Sequence, residues 1–143
     1  PKVLEFNARF GDPETQVLLP RMRGDLLDLL EATAGARLDS VTADWDARTA
    51  CCVVMTSGGY PGSYATGCAI SGCAEAEAAG ALVFHAGTKR DGESVLTSGG
   101  RVLGVTALGD SAADAVAAAY NGVRRIRFDN AAWRNDIGAP DPA

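Results

Sequence analysis

The sequence has few of the residues on which several common chemistries depend. His85 is its single histidine, and its four cysteines lack the paired C-x-x-C spacing of a zinc site. A catalytic thiol would need a neighbouring base, which only His85 could supply. Cys51 and Cys52 are adjacent in an apolar run, so on a strand they would point to opposite faces. We therefore expect four reduced, mostly buried thiols and a cytoplasmic protein.

Long apolar runs and an excess of basic residues are also missing. No stretch approaches the roughly 20 apolar residues that a membrane-spanning helix needs. The formal net charge is −5, which argues against a nucleic-acid-binding surface. The short basic run at residues 124–127 is interpreted as a solvated helix end or strand face. We expect neither a membrane nor a nucleic acid among the partners.

The helical signals lie near the start of the chain and again after residue 110. With 143 residues, 47% of them hydrophobic, the chain can bury the core of one ordinary domain. Asp12 and Pro13 predict a helix start, and Pro20 predicts a kink or an early stop. A second helix is expected to end near Gly35, with three leucines facing inward: Leu26, Leu27 and Leu30. Residues 36–48 are interpreted as a loop.

Several short strands are predicted between the early helices and a late one. The run at 50–55 is continuously apolar, which indicates a strand covered on both faces. Strands at 94–98 and 101–108 flank Gly99-Gly100, a signal for a hairpin. The last helix is expected to start at Asp110 or Ser111, and a closing strand to include Ile126 and Phe128. Short strands are also predicted at 68–70 and 81–86, with a small helical turn at 74–79 between them. The pattern indicates an α+β fold.

Residues 4–10 alternate with period 2. Glu5, Asn7 and Arg9 would share one face of a strand, opposite the apolar side chains Leu4, Phe6, Ala8 and Phe10. A carboxylate and an amide oxygen are hard ligands suited to Mg²⁺. Arg9 beside them could clamp a phosphate or a carboxylate. The alternative is an edge strand with an ordinary solvated polar face.

Five short motifs occur along the chain: LEFNARFGDPETQ (residues 4–16), SGGYPG (57–62), VFHAGT (83–88), GGRVLGVTA (99–107) and RNDIG (134–138). Together they resemble one enzyme family, the phosphoribosylamine–glycine ligases of the ATP-grasp superfamily. Each motif alone is weak evidence. They occur in the family's order, however, and cover essentially all of the chain.

The resemblance implies a specific domain organisation. Residues 1–35 would be the C-terminal end of the ATP-grasp domain, and residues 45–138 a C-terminal domain built as a small sheet or partial barrel with helices. Residues 139–143 would be a disordered tail. In this family the ATP-binding lysines, the adenine pocket and the first acidic metal ligand precede the strand at residues 3–10. The chain is thus expected to be the C-terminal third of the enzyme, to need the remaining N-terminal part and to be inactive alone.

The resemblance also implies a reaction and a set of site residues. The family joins glycine to 5-phosphoribosylamine through a glycyl phosphate, with ATP converted to ADP and phosphate. Glu5 and Asn7 match its ligands for Mg²⁺ or Mn²⁺, and Arg9 matches a catalytic arginine that holds an anionic substrate or the acyl phosphate. Further candidates for substrate binding are Asp12, His85, Gly87 and Thr88.

Several of these residues could instead have purely structural roles. Functions other than the glycine ligase are also possible. Arg9 could orient Glu5 through a salt bridge, Asp12 could cap a helix, and His85 could be structural. Another ATP-grasp enzyme, such as a biotin-dependent carboxylase subunit, also uses an E-x-N-x-R strand. Residues 10–14 favour the glycine ligase over it. The third possibility is a non-catalytic interaction module that keeps the fold without the nucleotide-binding lobe.

Overall fold

The computed structural model describes residues 2–3 and 6–139 of the chain. Its helices are α1 (Thr15–Leu18), α2 (Leu26–Ala34), α3 (Cys73–Ala78) and α4 (Ala112–Val123), and 3-10 turns cover Leu19–Arg21 and Leu38–Ser40. The early strands are β1 (Met22–Arg23), β2 (Asp44–Trp45), β3 (Thr49–Ser57) and β4 (Ala69–Ile70). The later strands are β5 (Leu82–His85), β6 (Thr88–Asp91), β7 (Ser94–Thr97), β8 (Arg101–Gly109) and β9 (Ala131–Ala132). This arrangement is the predicted mixture of helix and sheet.

The main sheet is antiparallel and has the strand order β5-β8-β3-β9. Its two long strands, β3 and β8, pair from Thr49 opposite Gly109 to Thr56 opposite Arg101. The register shifts between Met55 and Thr56. Such an irregularity bends a strand and re-aims the side chains beside it.

One face of the main sheet is covered by α4. Cys51, Val53 and Met55 alternate along β3 into a core that also contains Ala115 and Ala119 of the helix. A capping box between Ser111 and Asp114 begins α4, close to the predicted position. Gly122 allows a close approach, because a Cβ there would lie 2.8 Å from the Cβ of Ala81.

The other face of the main sheet is partly covered by α1, which packs on β3 and β8. A Cβ on Gly104 would lie 3.3 Å from Cys52 Sγ and 3.7 Å from Gln16 Cγ, so this glycine leaves room for α1. The prediction that β3 is covered on both faces is therefore confirmed only in part, because Cys52, Val54 and Thr56 on this second face are half-buried. The opposite orientation of Cys51 and Cys52 is confirmed too, and all four thiols are free. Burial raises the pKa of the Cys51 thiol and of the Cys52 thiol.

The predicted hairpin at Gly99-Gly100 is wrong. β7 pairs with β4 and β6 in a separate three-stranded sheet, whereas β8 belongs to the main sheet. Residues 99 and 100 cross between the two sheets, and their carbonyls accept hydrogen bonds from Ser57 Oγ and Ser57 N–H. The actual hairpin joins β6 to β7, where Asp91 pairs with Ser94. Its two-residue loop is Gly92-Glu93, and Gly92 adopts the positive φ of 58° that the first position of such a loop requires.

The predicted strand at residues 3–10 is also absent from the described part of that segment. Residues 6–10 contain no strand, and the Phe6 and Phe10 side chains are 90% and 51% exposed. An isolated extended segment leaves its main-chain groups unpaired, so alternation alone cannot make a strand. None of the described strands pairs with residues 6–10.

Three further sequence predictions need correction. α1 begins at Thr15 without a side-chain cap, and the Asp12 carboxylate accepts a hydrogen bond from Gln16 Nε2 instead of capping the helix. In α2 the buried residue is Ala32, whereas Leu27 and Leu30 are exposed. Residues 126–128 contribute one isolated bridge rather than a strand, although Ile126 and Phe128 are buried.

As predicted, α1 ends before Pro20. Ala139 donates a turn hydrogen bond to Asp136, and residues 140–143 lie outside the described part.

Asp46 ties the small β1–β2 sheet to the start of β3. Its carboxylate accepts hydrogen bonds from Arg48 Nη2 at 2.7 Å and Nε at 3.1 Å, and Arg23 lies 3.5 Å away. Its main-chain carbonyl accepts from Arg21 Nη2 at 3.1 Å. The hydrogen bonds from Arg48 hold the pKa of the Asp46 carboxyl well below its ordinary value.

Replacing Asp46 should therefore change how stability depends on pH. A carboxyl with a lowered folded-state pKa contributes stability above its unfolded pKa, near about 3.9, and loses it as the pH falls. We expect Asp46→Asn to lower the melting temperature at pH 7, with the difference from wild type shrinking below about pH 4. Thermal unfolding monitored by circular dichroism between pH 7 and pH 3 measures this. Asp44→Asn, which changes an exposed neighbouring carboxylate, is the control. If Asp46→Asn lowered the melting temperature equally at every pH, the lowered pKa of Asp46 would be contradicted.

Candidate functional site

Asn7 and Arg9 lie together at the surface of the segment that precedes α1. With Ala8 and Phe10 they line a shallow depression of about 440 Å³. Arg9 is exposed, and its Nη1 donates to the carbonyl of Phe10 at 2.6 Å. Glu5, the predicted partner of Asn7, lies outside the described residues. Of the three predicted residues Glu5, Asn7 and Arg9, the two that the structure describes thus share an open surface.

Asp12 and His85 meet in a second depression, of about 350 Å³, between α1 and the end of β5. Phe10 lines both depressions, so the two are adjacent. His85 Nδ1 and Thr88 Oγ1 lie within hydrogen-bonding distance at 3.1 Å. Asp12 and His85, which lie more than 70 positions apart in the sequence, thus line the same depression, and Thr88 lies beside His85. The result is a polar corner with one carboxylate, one imidazole and one hydroxyl.

Gly87, another candidate for substrate binding, has both of its main-chain groups in hydrogen bonds within the protein. Its N–H donates to the carbonyl of Arg101 at 2.8 Å, and its own carbonyl accepts from Ser98 N–H at 2.7 Å. A Cβ at this position would lie 2.5 Å from the Arg101 oxygen and 2.7 Å from Gly99 Cα. The glycine is needed because two backbone segments approach each other closely here. In this structure its amide hydrogen is not free for a phosphate.

A larger cleft, of about 520 Å³, was not predicted from the sequence. It lies on the outer face of β3, beside Cys52, Val54 and Thr56. Its remaining walls come from Pro13, Tyr60, Pro61, Trp133 and Ile137, with Arg101 and Arg134 also contributing. Two of the family-like motifs, SGGYPG and RNDIG, supply part of the lining, although the sequence alone assigned them no chemical role.

Both arginines of this cleft have acidic partners. Arg134 makes a two-point contact with Asp136, with nitrogen–oxygen distances of 2.8 and 2.6 Å. Hydrogen bonding between the two raises the pKa of Arg134 and lowers that of Asp136. Arg101 pairs with Asp12 at 3.4 Å. These exposed pairs fix the position of the side chains more than they add stability.

The ligand atoms around the depression at Asn7 and Arg9 suit a hard cation only in part. The amide oxygen of Asn7 is a neutral ligand of the kind that Mg²⁺ accepts. Within residues 2–3 and 6–139 no three histidine, cysteine, aspartate or glutamate side chains gather into a metal-binding cluster. A site that includes Asn7 would therefore draw on Glu5 or on groups outside this part of the chain.

The close approach at Gly87 predicts a stability effect. Gly87→Ala should lower the free energy of unfolding by about 1–3 kcal/mol, because the added methyl group meets the main chain of residues 99–101. Denaturant unfolding gives this value. Gly92→Ala provides a comparison, since nothing lies within 4 Å of that position and only its positive φ of 58° is strained. An unchanged unfolding midpoint for Gly87→Ala would contradict the packing described here.

Comparison with known proteins relates the whole chain to one family. The family model described as phosphoribosylglycinamide synthetase, C domain, matches residues 50–140. The phosphoribosylamine–glycine ligase of Allochromatium vinosum is 56% identical over 138 residues, which cover 96% of this chain and 32% of that protein. The Escherichia coli K12 enzyme of the same name is 52% identical over 139 residues, with the same coverage of each chain. The chain thus spans about a third of the length of these relatives.

A solved structure agrees with the sequence comparisons. The crystal structure of the phosphoribosylamine–glycine ligase from Thermotoga maritima superposes with a TM-score of 0.74 at 27% identity. The superposition covers 96% of this chain and 33% of that one. No helix in the described part of our chain is long and apolar enough to cross a bilayer. From the matched sequence, the matched fold and the ordered motifs, we conclude that the chain belongs to the phosphoribosylglycinamide synthetase C-domain family.

Proposed function

We propose that this chain is the C-terminal part of an ATP-dependent ligase that joins glycine to 5-phosphoribosylamine in purine biosynthesis. The products would be glycinamide ribonucleotide, ADP and phosphate, formed through a glycyl phosphate in the cytoplasm. The observation that carries the proposal is the alignment of 96% of the chain with ligases of this name at 56% and 52% identity. These relatives also favour the glycine ligase over a biotin-dependent carboxylase and over a non-catalytic module.

The segment before α1 would bind the metal ion and the transferring phosphoryl group. Asn7, and Glu5 beside it, would hold Mg²⁺ or Mn²⁺. The ion would neutralise the negative charge of the ATP phosphates, the main electrostatic demand of phosphoryl transfer. Arg9 donates to a carbonyl through one nitrogen, which leaves other N–H groups of its guanidinium for an anionic substrate or the acyl phosphate. The open depression around Asn7 and Arg9 supports this role, since a ligand can reach both side chains.

The corner formed by Asp12 and His85 would contact the acceptor substrate. Asp12 would attract the amine of a substrate, and its adjacency to the Arg9 depression supports such a position. His85 and Thr88, already within hydrogen-bonding distance of each other, would contact the ribosyl phosphate. Gly87 would contribute by allowing the tight main-chain approach that places these two side chains.

The domain organisation is part of the proposal. Residues 1–35 would complete an ATP-grasp lobe, and residues 45–138 would form the C-terminal domain, in keeping with the family match that starts at residue 50. Large apolar side chains of the first unit, including Phe6, Leu27 and Leu30, are exposed in the described structure. The remaining N-terminal polypeptide of the ligase would bury them. Because α1 packs on β3 and β8, the first unit is also attached directly to the second.

Removal of the acidic ligand tests the proposal. In the complete ligase that contains this chain, Glu5→Ala should reduce ligation by about 10³-fold or more, because a directly coordinating carboxylate is lost from a phosphoryl-transfer site. The melting temperature should remain close to the wild-type value. A coupled assay of ADP release, with differential scanning fluorimetry alongside, measures both quantities.

The control is Glu93→Ala, which removes an exposed glutamate from the turn between β6 and β7. It should leave turnover and stability unchanged. A wild-type turnover number for Glu5→Ala would refute the metal assignment. Failure of the wild-type enzyme to form glycinamide ribonucleotide would refute the proposed reaction.

A further inference from the structure

We propose that Arg101 is a positioning residue that fixes the proposed metal- and substrate-binding segment, residues 7–12, against the main sheet. The inference rests on the proposed function, because that function gives the segment its chemical role. Arg101 begins β8, and 89 positions separate it from Asp12 in the sequence. Its side chain nevertheless contacts Asp12 at two points.

The two contacts hold both the main chain and the side chain of Asp12. Arg101 Nη1 donates to the Asp12 carbonyl at 2.9 Å, and Nη2 lies 3.4 Å from the carboxylate Oδ2. The other carboxylate oxygen accepts from Gln16 Nε2 at 2.9 Å. Asp12 is thus held by the sheet on one side and by α1 on the other. A guanidinium suits this task because its donors have a fixed, planar arrangement.

The main chain of Arg101 is held at the end of the main sheet, and its side chain is partly exposed. Its carbonyl accepts from Gly87 N–H, and the residue pairs with Thr56 across the register shift in β3. The aromatic ring of Tyr60 packs against the preceding residue so closely that a Cβ on Gly100 would overlap it. The guanidinium extends from this fixed main chain, so its contacts with Asp12 relate the position of the segment to that of the sheet.

In the described structure the two contacts between Arg101 and Asp12 tie this segment to the main sheet, where no strand pairs with residues 6–10. Residues 6–10 belong to no strand, and Phe6 and Phe10 are exposed. Asn7 and Arg9 lie only five and three residues before Asp12, which Arg101 holds at two points; these two contacts are called the clamp below. Reacting groups misplaced by 1 Å can slow catalysis by about 100-fold, even when the altered contact is remote from the chemistry. Arg101 would therefore act through Asp12 on the geometry of Asn7 and Arg9.

Kinetics of the complete ligase test this inference. Arg101→Met should lower kcat by about 10- to 100-fold, because the segment is no longer aligned. The Mg²⁺ concentration for half-maximal activity should rise several-fold, an effect that a purely structural residue would not produce. Arg101→Lys should restore activity only in part, since an ammonium group cannot reproduce the fork-shaped two-point contact. Arg90→Met, which removes an exposed arginine from β6, is the matched control and should behave as wild type.

Hydrogen exchange separates failure of this inference from failure of the proposed function. The Thr15 amide donates to the Gly11 carbonyl at 3.1 Å, beside the clamp, and should exchange faster in Arg101→Met. Faster exchange in a protein whose wild type makes no glycinamide ribonucleotide would support the clamp and refute the reaction. An active wild type, together with unchanged exchange and unchanged Mg²⁺ dependence in Arg101→Met, would overturn the inference. A lowered melting temperature with normal Mg²⁺ dependence at low temperature would also overturn it.

Discussion

The antiparallel ladder between β3 and β8 is the interaction on which the rest of the structure depends. It provides two faces: α4 covers one with a continuous apolar core, and α1 covers part of the other. At one end the register shift aligns Arg101 with Thr56, beside the 520 Å³ cleft. Loss of this ladder would remove the core, the support for α1 and the anchor for Asp12 together.

The proposed chemistry is concentrated at the edge of this scaffold and not in its core. Asn7 and Arg9 lie on an exposed segment, and Asp12 and His85 lie in the depression next to it. Such an open arrangement suits half of a site that a second lobe closes. It also fits the finding that the chain spans about a third of its relatives. The exposed Phe6, Leu27 and Leu30 are consistent with such a covering lobe, because large apolar groups in water favour burial.

Local signals predicted the parts of the fold whose determinants lie close together in sequence. β3 was evident from its apolar run, and the start of α4 from Ser111. The predicted strand is absent at residues 6–10 because alternation gives a strand only where a partner is available. The Gly99-Gly100 hairpin failed because a turn dipeptide cannot reveal that its two flanks join different sheets. The meeting of Asp12 with Arg101 and His85 depends on tertiary packing, so sequence spacing gave no sign of it.

The central claim is that Glu5 and Asn7 bind the divalent cation of the complete ligase. A crystal structure of that enzyme with Mn²⁺ and ATP, in which the ion is located by its anomalous scattering, tests the claim most directly. We predict a peak about 2.0–2.3 Å from a Glu5 carboxylate oxygen and from the Asn7 amide oxygen. A well-ordered ion that is bound to the ATP phosphates and contacts neither side chain would contradict the account.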